Sequence, residues 1–344
     1  MHLSKGPISL SEDILMADIV VCDDIDGAFQ NSGELARAGG MGTVVVYDRV
    51  AETREELLHR LQGASIALAI RDRTVLDRET LAALPELRFI ASSGPHRIDL
   101  KAATKLGIVV ATTPGTSNAS VGEHVFGLIL ALARRIVPSD QALRQRRWEP
   151  VPGMELEGKI LGILGLGRTG GAVARRAPAF RLEVIAWGPT LTPERAAASG
   201  AKMVSEEECF RTADILSVHL RRSELSRNFI NASRLALMKP TALLIDISWA
   251  GIVDRKAVAE ALRKGRLAGA ALDLCDTYPV NGNDPILDAP NTVLTPHLAW
   301  QTTESYQRSA RMAVDNILAY LNGSPENVLN PDALKTSRQA SHTT

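Results

Sequence analysis

The chain reads as an α/β protein built on parallel sheets, and three observations predict this. Short apolar runs of strand length alternate with helix-length segments from Ile19 to Thr295. One run, Ile160 to Leu164, ends in Gly165-x-Gly167-x-x-Gly170 and leads into good helix formers, the strand–turn–helix setting of a dinucleotide-binding fold. At 344 residues the chain is about twice one typical domain, so two domains are expected.

The elements follow in order. Residues 1–16 have few periodic apolar positions and read as an extension. Ile19 to Cys22 is the first strand, a polar glycine-containing segment follows, and Thr43 to Tyr47 is the second strand. Thr53 starts a helix, with Leu57, Leu58 and Leu61 at helical spacing and Glu55 and Glu56 in its first turn. Ile66 to Ile70 is a strand running into Arg71-Asp72-Arg73, and Asp77 to Leu84 is a helix stopped before Pro85. Phe89 to Ala91 is a strand that enters the loop Ser92 to Arg97; Ile98 to Leu106 is helical, capped by Gly107, and Ile108 to Ala111 is a strand. Val121 to Val137 reads as one long apolar helix, a buried connector, and Arg144 to Trp148 as a basic helical stretch before a loop with two prolines. Beyond the glycine turn, Val184 to Trp187, Ile215 to His219, Ala242 to Ile247, Ala268 to Leu274 and Thr292 to Thr295 are strands. Asp254 to Lys264 is a helix capped by Gly265, Gln301 to Leu321 a long helix, and the polar end of the chain a disordered tail.

Composition narrows the function. Lys plus Arg equals Asp plus Glu at 39 each, which argues against a general polyanion binder. Cys22, Cys209 and Cys275 are far apart and form no CxxC pair, so no metal site or disulfide framework is expected. The first residues lack an apolar signal core, and Glu123, His124, Arg134 and Arg135 interrupt the most apolar helix. A cytoplasmic protein without membrane or nucleic-acid partners is expected.

The glycine turn points to a dinucleotide. The first glycine, Gly165, permits the tight turn and the second, Gly167, lets backbone approach a pyrophosphate. Gly170 lets helix pack on strand, and Arg168 and Thr169 open the helix that faces the phosphates. An acid that binds the adenosine ribose belongs at the end of the next strand, but that strand ends Trp187-Gly188-Pro189-Thr190. Glu183 lies inside the strand and Arg195 is the first arginine beyond it. NAD is expected, with NADP left open.

With these pieces the chain resembles the D-2-hydroxyacid dehydrogenase family. The motifs that carry the likeness are Gly158-Lys-Ile-Leu-Gly-Ile-Leu-Gly-Leu-Gly-Arg-Thr-Gly170, Leu237-Met-Lys-Pro240, Gly251-Ile-Val-Asp254, Gly269-Ala-Ala-Leu-Asp273 and Leu294-Thr-Pro-His297, over about residues 17–325. The resemblance implies two doubly wound parallel-sheet domains, a Rossmann cofactor domain inserted into a flavodoxin-like outer domain. By that scheme 17–115 and 302–334 form the outer substrate domain, 116–301 the cofactor domain and 335–344 the tail. It also implies a homodimer and a small acidic substrate.

The family works with an arginine that clamps the substrate, a histidine that moves the proton and a glutamate that supports the histidine. His297 matches the histidine. Trp249 stands where the arginine belongs and Tyr278 where the glutamate belongs. An indole carries one N–H and no charge, and a neutral phenol cannot hold an imidazolium as a carboxylate does. Asp276 could replace the glutamate only on a different loop path. By the same resemblance Asp273 meets the nicotinamide amide, and the backbone near His219, Leu220 and Ile247 lines the cofactor. The substrate loop holds Ser93, Gly94, His96 and Arg97, bulkier and more basic than usual, so Arg97 or Arg71 is a candidate replacement anion site. Trp300, with Trp249 and Tyr278, could form a wall for an aromatic or bulky substrate. The leading expectation is hydride transfer on a hydroxy or oxo acid. The alternatives are an NAD-using enzyme of another class on this scaffold, or a non-catalytic NAD(H)-binding sensor.

Overall fold

Among the described residues of the computed structural model the strands pair in parallel, in two sheets, with one isolated antiparallel bridge between Ala111 and Val328. The structure describes residues 19–25, 27–40, 42–69, 73–94, 97–273 and 280–336. The chain divides into two compact units, one drawn from both ends (through Thr116 and from Tyr306 on) and one spanning Ser117–Ser305.

In the first unit, β1 (Ile19–Val21), β2 (Val44–Val46), β3 (Ile66–Ala69), β4 (Phe89–Ser92) and β5 (Val109–Thr112) pair in the order β2-β1-β3-β4-β5. That is the doubly wound order of flavodoxin-like sheets. Strand alternation sends Val20, Ala67, Ile90 and Val110 to one face, where they meet Leu57 and Leu61. Ile19, Val21, Leu68, Phe89 and Val109 go to the other, against Val314 and Ile317 near the end of the chain. Three helices on this sheet begin where the sequence supplies a cap. The side chains of Thr53, Asp77 and Asp99 accept from the N–H groups of Glu56, Thr80 and Ala102.

In the second unit, β6 (Ile160–Leu164), β7 (Glu183–Trp187), β8 (Lys202–Met203), β9 (Ile215–Val218), β10 (Leu243–Asp246), β11 (Gly269–Asp273) and β12 (Thr292–Thr295) pair as β12-β11-β10-β9-β6-β7-β8. Chain order reverses between β6 and β9. Ligands of such sheets bind beyond the carboxyl ends of the strands at that reversal. Ile163, Ile215, Ile245 and Ala271 pack under Val125 and Ile129, and Leu164, Leu216, Leu244 and Leu272 under Phe210 and Phe229.

Several expectations are corrected. The single helix from Val121 to Val137 is two, Asn118–Ala133 and Ile136–Arg144. Arg135 between them is left-handed (φ 53°), and Pro138 sits in the first turn of the second helix, where its missing N–H costs nothing. A continuous helix would have set that ring against the carbonyl of Arg134. The helical reading of Arg144 to Trp148 fails because the helix ends at Arg144 and Arg146 turns left-handed (φ 61°). The polar stretch after β1 contains the short helix Glu34–Gly39, which buries only two side chains and so has no periodicity to read.

Among the described residues no helix is long and apolar enough to cross a membrane, and no His/Cys/Asp/Glu group could hold a metal. Cys22 and Cys209 are buried, and burial raises both thiols, Cys209 to about 12. The tail from residue 337, and residues 1–18, lie outside the described residues.

Candidate active site

The glycine turn knits three strand ends together. Gly165 N–H donates to Trp187 O at 2.8 Å, and His219 N–H to Leu164 O at 2.8 Å. Gly165 has φ 94°, and a Cβ there would lie 2.7 Å from the His219 carbonyl oxygen. A Cβ on Gly170 would lie 2.4 Å from the Gly165 oxygen, so the helix Arg168–Ala174 can approach the turn only with glycine there. Gly167 differs: its φ is −92°, and a Cβ would meet nothing within 4 Å. Two glycines therefore answer to protein packing, while the second leaves open space on its side of the turn. That is the cradle a pyrophosphate needs, with Arg168 exposed and Thr169 half-buried beside it. The residues fit a dinucleotide.

Trp187 closes β7, half-buried and stacked on Phe229 with ring centroids 5.2 Å apart. It borders a cavity of about 670 Å³ shared with Pro193, Lys202, Val204 and Glu208. Gly188 follows, with Leu191 packed near it. Glu183 is the first residue of β7, exposed and at the opposite end of the strand from the glycine turn. His219 and Leu220 leave β9 buried, at 8% and 7% exposure. The His219 Nε2 pairs with Ser217 Oγ at 2.8 Å, and burial pulls the ring down to about 4, so it is neutral. Ile247 follows β10, half-buried.

His297 lies two residues past β12 with φ 54°, an uncommon conformation for a side-chain-bearing residue. Its turn is held from several sides. The Asp273 carboxylate, 5% exposed at the end of β11, accepts from Thr295 Oγ1 (2.6 Å), Leu298 N–H (2.7 Å) and Ala299 N–H (2.8 Å). Gln301 Nε2 donates to the His297 carbonyl at 2.7 Å. Since Thr295 donates to Asp273, the His124 Nε2, 3.2 Å from Thr295 Oγ1, is the donor in that pair. Burial lowers the His124 pKa and the Asp273 charge opposes this. So Asp273 fixes the backbone that presents His297, and its three bonds leave about one lone-pair position for a further donor. A sequence reading assigns Asp273 only to the nicotinamide and gives no role to His124, because Thr295 lies 171 residues from it.

Two indoles flank the histidine. The Trp249 ring lies 6.5 Å from that of His297 at 67°, and the Trp300 ring 5.8 Å away at 64°. Trp249 is 37% exposed, and the turn that carries it is pinned by Asp246, which accepts from Ser248 N–H (2.9 Å) and Oγ (2.5 Å). Burial pushes the Asp246 carboxyl up to about 6, against the pull of those bonds.

In the first unit, the loop after β4 carries Ser93 and Gly94. Ser92 Oγ lies within hydrogen-bonding distance of the carbonyls of Gly94 (2.6 Å) and Ala69 (3.0 Å), and its one proton serves either of them, which fixes the loop's departure from the strand. Arg97 is exposed, and its carbonyl accepts from Leu76 N–H at 2.8 Å. Arg71, His96, Tyr278 and Asp276 lie outside the described residues.

The NAD binding domain of D-isomer specific 2-hydroxyacid dehydrogenases matches residues 126–299. A glyoxylate reductase of Aeropyrum pernix is 38% identical over 82% of this chain and 87% of its own. A D-3-phosphoglycerate dehydrogenase of Archaeoglobus fulgidus is 32% identical over 94% of this chain, which spans 60% of that protein's length. The crystal structure of a glyoxylate reductase from Paecilomyes thermophila superposes with a TM-score of 0.79 at 26% identity, covering 91% of this chain and 98% of that one.

Proposed function

The chain belongs to the D-isomer specific 2-hydroxyacid dehydrogenase family and is an NAD(P)-dependent oxidoreductase of CH–OH groups. On that premise we propose that its substrate is a 2-hydroxy or 2-oxo acid with an aromatic or bulky substituent, and that His297 moves the proton. The observation that carries this reading is the edge-type ring contact of both Trp249 and Trp300 with His297, on a turn held by Asp273.

When bound, the nicotinamide supplies or accepts the hydride. His297 gives a proton to the substrate oxygen during reduction and removes it during oxidation. In doing so it passes through the imidazolium. An indole face attracts such a cation by roughly 0.5–2 kcal/mol, less than a buried carboxylate would. Asp273 acts as a positioning residue, since its hydrogen bonds hold the backbone on either side of the histidine. Trp249 offers apolar area where the family has a guanidinium, which favours a flat apolar substituent and disfavours glyoxylate, the substrate named in its relatives. A cytoplasmic homodimer is part of the proposal, on the family likeness.

The test is specificity. The ratio of kcat/KM for phenylpyruvate over glyoxylate is expected to exceed about 10 in the wild type, and Trp249→Arg to reverse the preference. Efficient glyoxylate reduction by the wild type contradicts the reading of Trp249. Cofactor binding with no turnover of any 2-oxo acid supports the sensor alternative.

A further inference from the structure

The adenosine end of the cofactor site has a charge pattern of its own. Strands β9, β6 and β7 are neighbours and parallel, so the segments that follow them leave from one edge of the sheet. Those segments carry Arg221 and Arg222 after β9, Arg168 after β6 and Arg195 after β7. Arg195 is seven residues from Gly188 in sequence but folds back, with Nη1 donating to the Thr190 carbonyl at 2.7 Å. All four are exposed. Elsewhere on this unit Arg181, Arg211 and Arg234 are each paired with a glutamate, at 2.5, 2.8 and 2.7 Å. Among the described residues, no ion pair of that kind involves the four arginines of this edge.

The acid that would select a free ribose hydroxyl is missing from the same place. β7 ends Trp187-Gly188-Pro189-Thr190, and Glu183 starts the strand at its other end. Glu194 lies in the first turn of the helix Pro193–Ala197, where the helix's own backbone and Thr192 lower its pKa. Lys202 and Glu208 both line the cavity beside Trp187, and their charges offset. A carboxylate at the end of this strand hydrogen-bonds the 2′-hydroxyl of NAD and repels a 2′-phosphate, while an arginine accommodates the phosphate.

We propose that this edge is a 2′-phosphate site, with Arg195 as its principal ligand and Arg221 and Arg222 in support, so that the chain prefers NADP(H) to NAD(H). The inference rests on the dinucleotide reading of the glycine turn and is independent of which acid is reduced. The test is equilibrium binding of NADPH and NADH to the full chain, read by calorimetry. NADPH is expected to bind about 10- to 100-fold tighter, as fits one or two charge-assisted contacts. Arg195→Ala is expected to weaken NADPH by about the same factor and NADH by less than about twofold. The double variant Arg221→Ala/Arg222→Ala should do the same more weakly, and 2′,5′-ADP should displace NADPH where 5′-AMP does not. NADH binding as tightly as NADPH, or Arg195→Ala weakening both alike, overturns the phosphate site and leaves the oxidoreductase reading standing. Binding of neither cofactor overturns both.

Discussion

His297→Asn is expected to lower kcat by about 100- to 10,000-fold while dinucleotide affinity stays within about threefold of wild type. Asparagine suits this position for a structural reason. His297 has φ 54°, and asparagine is among the few residues that adopt the left-handed region readily. The anchors of the turn are backbone N–H groups of Leu298 and Ala299 and the carbonyl of His297, so the substitution keeps them all. What it removes is an imidazole, which can give and take a proton; an amide does neither. A loss of kcat without loss of binding or thermal stability therefore isolates proton transfer. Unchanged kcat would mean that another group moves the proton.

Two glycine substitutions separated by three positions should fail in opposite ways. Gly167→Ala places a methyl group where nothing lies within 4 Å, at a φ of −92° that alanine adopts freely. The folded protein should keep its denaturation midpoint, and dinucleotide affinity should fall about 10- to 100-fold because the methyl occupies the lane of the pyrophosphate. Gly170→Ala places its methyl 2.4 Å from the Gly165 oxygen, backbone that cannot step aside without opening the turn. That variant should lose about 1–3 kcal/mol of stability in chemical denaturation. Equal loss of stability in both would mean that the open side of the turn is packing space and not a phosphate lane.

The strands and helix starts were legible because their signals are local. Apolar runs such as Phe89 to Ala91 and Ile160 to Leu164 have strand length, and Thr53, Asp77, Asp99 and Asp254 stand where helices begin. Elements without periodicity were not. β8 has two exposed residues, and the break at Arg135 depends on one left-handed residue before a proline that the second helix accommodates. The same division holds at the site. The glycine turn can be read from its spacing, and the family resemblance implies the roles of the histidine after its proline and of the position that Trp249 holds. The three bonds from Asp273 and the His124–Thr295 pair cannot, because they join residues 22 to 171 positions apart. The contact of Arg195 with Thr190 spans only five residues but depends on the direction in which the loop after β7 turns.

We propose that this chain moves hydride between a nicotinamide and carbon 2 of an acid, with His297 moving the proton. Deuterium transfer tests it most directly. The full chain is incubated with NADPH or NADH carrying deuterium at both nicotinamide C4 positions and with phenylpyruvate, and the product is read by mass spectrometry. The expected product is a 2-hydroxy acid with deuterium on carbon 2, formed far more slowly by His297→Asn. A hydroxy acid without the label, or labelled product formed equally fast by the variant, would contradict it.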